Sequence, residues 1–210
     1  MGNAAVEVAG EWGYIDRSGE TAIEPRFEDA DEFSEGFAIV EKTGSKAYID
    51  RTGQVAFTAD PDWEYVYPFS QGRALISTGS RWAYIDTSGE LVIEPKFRSA
   101  QEFSEGMAAV FVGGEMGYGM GYIDRTGELV IGPDPELKEA RPFSESRAAV
   151  QVNGKWGYLD PSGDMVIEPR FEHVEDFTGS LAFVEEGDRV GYIDRQGRWL
   201  LSWDAGEDRM

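Results

Sequence analysis

The 210-residue chain has no cysteine, a single histidine, only five lysines and no long apolar run. Without cysteine there are no disulfides, no thiolate metal sites and no cysteine nucleophile. One histidine, His173, excludes a multi-histidine metal centre and leaves a serine-type triad with only one base. No stretch is long and apolar enough to suggest a membrane span. Residues 1–10 show neither the basic start nor the apolar centre of a signal peptide, so the expectation is a cytoplasmic chain. Basic charge is also short: 19 Lys and Arg stand against 40 Asp and Glu, a formal net charge of −21. That charge repels phosphate backbones and anionic lipid head groups, so neither nucleic acid nor a membrane surface is an expected partner. The acid-rich, lysine-poor balance fits two readings, adaptation to high salt and charge that serves solubility alone.

What is present is a repeat. Tyr-Ile-Asp, or Tyr-Leu-Asp, begins at Tyr14, Tyr48, Tyr84, Tyr122, Tyr158 and Tyr192, with a glycine five residues after each tyrosine. A spacing in the thirties is the range of solenoids, propellers and arrays. Hydrophobic residues at 41% suffice for a core, while 26 glycines and 9 prolines point to many tight turns and little helix.

The fifth copy shows the grammar. Ala-Ala-Val-Gln-Val leads to Asn153-Gly154, then Lys-Trp-Gly-Tyr-Leu, then Asp160-Pro161-Ser162-Gly163, then Asp-Met-Val-Ile-Glu-Pro. Asn-Gly between alternating apolar runs predicts a type I′ hairpin, whose two central residues take positive φ. Asp-x-x-Gly predicts a type I turn closed by a left-handed glycine. The aspartates of these turns, Asp16, Asp50, Asp86, Asp124, Asp160 and Asp194, are read as hydrogen-bond acceptors for their own turns, since a catalytic group seldom recurs six times on one chain. Small apolar residues alternate along the first strand of each copy, as in Ala108, Val110 and Val112, and predict a packed face.

Between copies run connectors such as Pro25-Arg-Phe-Glu-Asp-Ala-Asp-Glu-Phe-Ser-Glu-Gly36. Phe33, Phe69, Phe103, Phe143 and Phe177 recur in register, as do Phe27, Trp63, Phe97, Leu137 and Phe171, and both sets are expected to plug the seams between copies. The combined pattern Gly-x-Trp-Gly-Tyr-Ile-Asp-x-Ser-Gly, Ile-Glu-Pro, Phe-Ser-Glu-Gly and Ala-x-Val resembles the WG-repeat family over nearly the whole chain. Trp-Gly itself stands at Trp12-Gly13 and Trp156-Gly157, becomes Trp82-Ala83, and is replaced by Lys46-Ala47, Met120-Gly121 and Val190-Gly191. The resemblance implies a β-repeat architecture and brings no catalytic residues with it.

The expected fold is one all-β domain, residues 1–210, of six three-stranded antiparallel repeat units at about 4–25, 37–59, 73–95, 107–133, 147–169 and 181–203. A propeller-like closed ring is favoured over an open twisted β-array, because the apolar last segment, Arg198 to Trp203, reads as a closing contact. The expected function is a non-catalytic scaffold that binds a protein through an acidic, aromatic-rich surface. The alternative is a glycan or cell-wall binding module stacking sugars on Trp12, Trp82 and Trp156. A hydrolase with two carboxylates is a third, weaker reading. The duplicated Met-Gly-Tyr in residues 113–122 puts Met116 and Tyr118 on a glycine-rich loop suited to partner contact. No metal or cofactor site is expected, since no helix follows those glycines and no Gly-Lys-Ser/Thr occurs.

Overall fold

The computed structural model describes residues 3–114 and 117–206. The chain divides into two compact halves, Met1–Lys96 and Phe97–Met210. No α-helix occurs among the described residues, and no helix is long and apolar enough to cross a membrane.

Six antiparallel sheets follow the repeat. The first contains β1 (Ala4–Val8), β2 (Glu11–Ile15) and β3 (Thr21–Phe27). The second contains β4 (Asp29–Ala30), β5 (Phe37–Lys42), β6 (Ser45–Asp50) and β7 (Val55–Thr58). The third contains β8 (Tyr65–Ser70), β9 (Arg73–Thr78), β10 (Arg81–Ile85) and β11 (Leu91–Phe97). The fourth contains β12 (Ser99–Ala100), β13 (Met107–Val112), β14 (Gly119–Asp124) and β15 (Leu129–Asp134). The fifth contains β16 (Leu137–Ala140), β17 (Ala148–Val152), β18 (Lys155–Leu159) and β19 (Met165–Phe171). The sixth contains β20 (His173–Val174), β21 (Leu181–Glu186), β22 (Arg189–Asp194) and β23 (Trp199–Asp204).

Three-stranded units are thus corrected: among the described residues five of the six sheets have four strands, the extra one supplied by the connector. Ala30 pairs with Val40, Ala100 with Val110 and Val174 with Val184. Three of these strands have only two residues and carry no legible period, while β8 has six and β16 four and both pair irregularly, so the connectors read as loop.

The predicted turns form. Asn153 and Gly154 have φ of 51° and 79°, as a type I′ hairpin requires. In the Asp turns the glycine amide donates to the aspartate carbonyl, as from Gly163 to Asp160 at 2.9 Å, and the glycine has positive φ. The repeated small residues fill cores: Ala108 and Val110, like Ala148 and Val150, are fully buried.

Within each half the connector aromatics pack between copies, although Phe33 and Trp63 are only half-buried. Phe69, Phe103, Phe143 and Phe177 are almost completely buried, as are Phe97 and Phe171. Ring centroids of Tyr122 and Phe143 lie 4.9 Å apart, and those of Tyr158 and Phe177 also 4.9 Å. Offset or tilted ring pairs at such distances add to area burial. The apolar last strand behaves differently: Leu200 and Leu201 are both 60% exposed. Leu201, paired with Tyr192, is thus exposed where Ile23 and Ile167, paired with Tyr14 and Tyr158, are buried in earlier sheets.

Candidate functional site

Most recurring polar side chains are consumed by the fold. The Asp16 carboxylate accepts hydrogen bonds from the Ser18 amide (2.8 Å), the Ser18 hydroxyl (2.6 Å) and the Glu20 amide (3.1 Å). Asp50, Asp86 and Asp124 repeat all three contacts. These bonds hold the carboxyls of Asp16, Asp50, Asp86 and Asp124 below the usual carboxylate range. Asp194 is lowered too, by the Arg198 amide and then by its side chain.

The other recurring groups stitch neighbouring sheets. Tyr14 donates its hydroxyl to the Asp31 carbonyl at 2.8 Å, and Tyr48, Tyr122 and Tyr158 do the same to Tyr67, Arg141 and Glu175. Burial pushes these phenols up, out of the range of any working acid or base near neutral pH. In Phe-Ser-Glu-Gly, the Ser34 hydroxyl donates to the Phe69 carbonyl at 2.6 Å, and the Glu35 carboxylate accepts the Gln71 and Gly72 amides at 2.7 Å each. Ser144 and Glu145 repeat this on Phe177, Gly179 and Ser180.

A site must therefore be sought where the repeat is broken, and the second sheet breaks it most. Lys46 and Ala47 replace Trp-Gly, and Thr58-Ala59 replaces Glu-Pro. The strand β7 stops at Thr58, and the chain leaves in a turn in which the Trp63 amide donates to the Asp60 carbonyl at 2.9 Å. A cavity of about 330 Å³ results, lined by Glu41, Lys46, Asp60, Pro61, Trp63 and Glu64 among others. A smaller cleft of about 100 Å³ shares Glu41 and Lys46 and adds Asp29 and Asp31. The Asp31 carboxyl lies above its ordinary range, because burial, then the neighbouring Asp29 charge, disfavours ionisation, while Lys46 pulls the other way. Chemically this is an anionic groove with one indole wall, suited to a guanidinium or ammonium group.

The contact residues expected from the sequence are scattered over different sheets. Trp12 is half-buried against the first core. Trp82 is half-buried and stacks on Tyr65, itself 51% exposed, with centroids 6.3 Å apart and planes at 23°. Trp156 is only 6% exposed, beneath the Arg141 guanidinium 4.6 Å from its centroid, so it belongs to the core and offers a partner little surface. Tyr118 is 61% exposed and meets Phe111 edge-on. Met116 lies outside the described residues. His173 is exposed on β20, opposite Glu185. Among the described residues no group of three or more His, Cys, Asp or Glu is arranged to hold a metal ion. Sequence reasoning missed the groove around Lys46. Its signal was the coincident loss of tryptophan, glycine and proline in one copy.

Comparison with known proteins gives one family and a set of folds. The family described as WG containing repeat matches residues 12–45, 47–82, 82–115, 120–156 and 156–189. No curated protein matches the chain. Among solved structures, Hsv2p of Kluyveromyces lactis is similar over 90% of this chain and 70% of its own, with 13% identity and a TM-score of 0.56. A second structure of that Hsv2, with complete loop 6CD, is similar over 95% and 73%, at 12% identity and a TM-score of 0.58. A eukaryotic initiation factor is similar over 96% of this chain and 62% of its own, at 12% identity and a TM-score of 0.59. At such identities the likeness is one of fold, a propeller-like all-β repeat.

Proposed function

The chain belongs to the WG containing repeat family, and we propose that it is a non-catalytic scaffold that binds a protein partner through an acidic, aromatic-bearing surface. The observation that carries this reading is the division of labour among side chains. Recurring Asp, Tyr, Ser and Glu groups are bonded within the fold, while the copy that breaks the pattern opens a groove lined by Glu41, Asp60, Glu64 and Trp63. Its partner carries Arg or Lys, for which the exposed and half-exposed carboxylates and an indole face are matched acceptors. Electrostatic attraction from a chain of charge −21 speeds the encounter.

A catalytic reading has less support. The turn carboxylates that recur are tied to amides and held ionised, which suits neither a proton donor nor a free nucleophile. A propeller-like arrangement of the six sheets is our reading of the scaffold, supported by the likeness to Hsv2p over 90% of the chain. Solution scattering tests that reading. An elongated scattering profile would refute the ring.

One observation favours the glycan alternative: the exposed Tyr65–Trp82 stack is a flat platform of the kind that sugars use. Affinity capture separates the readings. The wild-type chain, its Glu41→Gln/Glu64→Gln variant and an unrelated acidic protein are used as baits on native lysate. Partners held by the wild type, lost by the variant and released at about 0.5 M salt support the groove. Eluates identical to those of the acidic control would sink it, and retention of wall glycan abolished by Trp82→Ala would transfer the function to the aromatic platform.

A further inference from the structure

The third strands of the repeat differ among themselves in one charge. Ile23-Glu-Pro-Arg26-Phe27 and Ile167-Glu-Pro-Arg170-Phe171 place an arginine after the proline, and Ile93-Glu-Pro-Lys96-Phe97 places a lysine there. The two arginines reach the Asp turn of the following sheet. Arg26 Nη2 donates to the Gly53 carbonyl at 2.6 Å, and Arg170 Nη2 donates to the Gly197 carbonyl at 2.8 Å. Each guanidinium also lies over the ring beside it, 5.1 Å from the Phe27 centroid and 4.7 Å from that of Phe171. In both places a guanidinium on a backbone carbonyl ties the end of one sheet to the turn of the next.

The fourth copy reverses the charge. Its segment runs Ile131-Gly-Pro-Asp134-Pro-Glu-Leu137, so Asp134 follows the proline, the run is two residues longer, and leucine stands where other copies have Phe or Trp. The turn that follows in the fifth sheet is unaltered: Gly163 closes it at φ 86°, as Gly53 and Gly197 close theirs. Among the described residues no group donates to the Gly163 carbonyl. A cavity of about 270 Å³ lies there instead, lined by Asp134, Gly163 and the apolar residues Ile131, Leu137, Leu159 and Met165. Ile131, Leu137 and Leu159 are buried, while Asp134 and Gly163 are half-buried. The Asp134 carboxylate accepts the Glu136 amide through one oxygen at 2.8 Å and forms no salt bridge among the described residues, which leaves its second oxygen as an acceptor. Asp60 takes the same sequence place in the second copy, but there an aromatic ring covers the turn glycine: a Cβ on Gly89 would meet Phe57 at 2.7 Å.

We propose that this cavity binds an arginine side chain of a partner polypeptide, its guanidinium donating to the Gly163 carbonyl and the Asp134 carboxylate. The ligand is read from the molecule's own precedent. The corresponding carbonyl receives a guanidinium twice on this chain, and here the internal arginine is exchanged for a carboxylate that attracts one from outside. A guanidinium holds several donors in one plane and can serve both acceptors together, whereas an ammonium is a point charge. Ile131, Leu137 and Met165 offer apolar walls to the methylene stem, which such side chains commonly bury. The inference goes beyond the groove around Lys46, lies on residues of the second half, and does not depend on that groove.

The probe is the capped tripeptide acetyl-Gly-Arg-Gly-amide, titrated into the isotope-labelled full chain and followed by amide chemical shifts. Saturable shifts are expected at Ile131, Asp134 and Gly163. Binding should weaken about fivefold or more when lysine replaces the peptide's arginine, and about tenfold or more with citrulline, which keeps the shape and loses the charge. Asp134→Asn should weaken it about fivefold, and Asp134→Arg, which restores the side chain of the sister copies, should abolish it. No saturable shift at these residues up to about 10 mM would overturn the proposal. So would equal binding of the citrulline peptide, or binding that neither Asp134 variant alters. Free arginine bound more tightly than the capped peptide would assign the cavity to the amino acid and overturn the polypeptide as its source. Shifts that fall instead on Glu41, Trp63 and Glu64 would sink the cavity and favour the groove. Asp134-dependent shifts beside a lysate capture that matches the acidic control would do the reverse, so the two readings fall separately.

Discussion

Repeats 1 and 2 stand side by side in sequence and solve the same geometric problem differently. In the first, Trp12 pairs with Phe27 and Tyr14 with Ile23, so β3 bulges by two residues past Gly13. In the second, Ala47 pairs with Thr58 and Tyr48 with Phe57, with no bulge at that point. The repeats with proline after the isoleucine, at Pro25, Pro133 and Pro169, bulge there. The second and sixth repeats, which lack that proline, pair regularly, and the sixth does so although it retains Gly191. Proline cannot donate to a ladder, so it drives the strand outward. Glycine then makes the room: a Cβ on Gly13 would lie 2.6 Å from the Ile23 carbonyl oxygen, and one on Gly157 would lie 2.4 Å from that of Ile167. Repeat 3 keeps Ile93-Glu94-Pro95 and a seven-residue β11 with Ala83, so the long third strand goes with the proline segment. Close approach to the third strand is not confined to the bulged repeats: a Cβ on Gly191 of the regularly paired sixth repeat would lie 2.2 Å from the Leu201 carbonyl oxygen. Where proline, tryptophan and glycine are lost together, the bulge collapses and a groove opens.

The seam is common to both kinds of repeat, and breaking it should cost most. Phe177→Ala removes a ring 1% exposed beside Tyr158, and Phe69→Ala one equally buried beside Tyr48. Each is expected to cost about 3–5 kcal/mol in urea unfolding, the range for a buried phenylalanine. A cost near zero at Phe69 alone would mean that the flat repeat does not share the seam of the bulged ones. Next in size, Gly157→Ala adds a methyl against backbone atoms and should cost about 1–3 kcal/mol. The reverse change in the flat repeat, Ala47→Gly, should cost only about 0.5–1 kcal/mol, from chain entropy. Equal costs at the two positions would show that glycine's role is not clearance.

The turn aspartates give a smaller effect that is spread through both halves. Five of them have folded values below their ordinary range, so their contribution is complete above about pH 4 and is lost as pH falls through the folded values. Between those limits the unfolded chain binds more protons, and stability should fall with acid. The urea midpoint is expected to drop from about pH 5 to about pH 2.5. Asp16→Asn and Asp50→Asn should each flatten that slope slightly and alike, as turns that do not depend on the bulge. A wild-type midpoint independent of pH over that window would contradict the assignment.

Much of this was legible because the code was redundant. Asn-Gly and Asp-x-x-Gly announce their turns through the φ they demand, and six copies averaged away local noise. The connector strands were hidden because two residues such as Asp29–Ala30 cannot display a period, and their pairing is set by a hairpin ten residues downstream. The burial of Trp156 depends on Arg141, which lies just past β16, two strands before β18, so no local pattern displays the contact. The groove left only a negative trace, three departures in one copy that each look neutral alone.

Lys46→Trp puts the missing indole back into the flat repeat and is among the milder of these changes for stability. Lys46 lies at the groove wall and forms no salt bridge among the described residues, although its charge favours the ionised form of Asp31, so the change should cost no more than about 1 kcal/mol. Binding should respond more than folding. The indole fills space between Glu41 and Trp63 that a guanidinium or ammonium group would otherwise enter, while the acidic side chains and the net negative field remain. A partner that recognises the groove by shape should then be lost from affinity capture, even though every carboxylate is intact. A partner that answers only to the overall charge should bind as before or more tightly, since one positive charge has gone. Unchanged capture by this variant would therefore move the binding function from the collapsed bulge of repeat 2 to the acidic surface that all six repeats share.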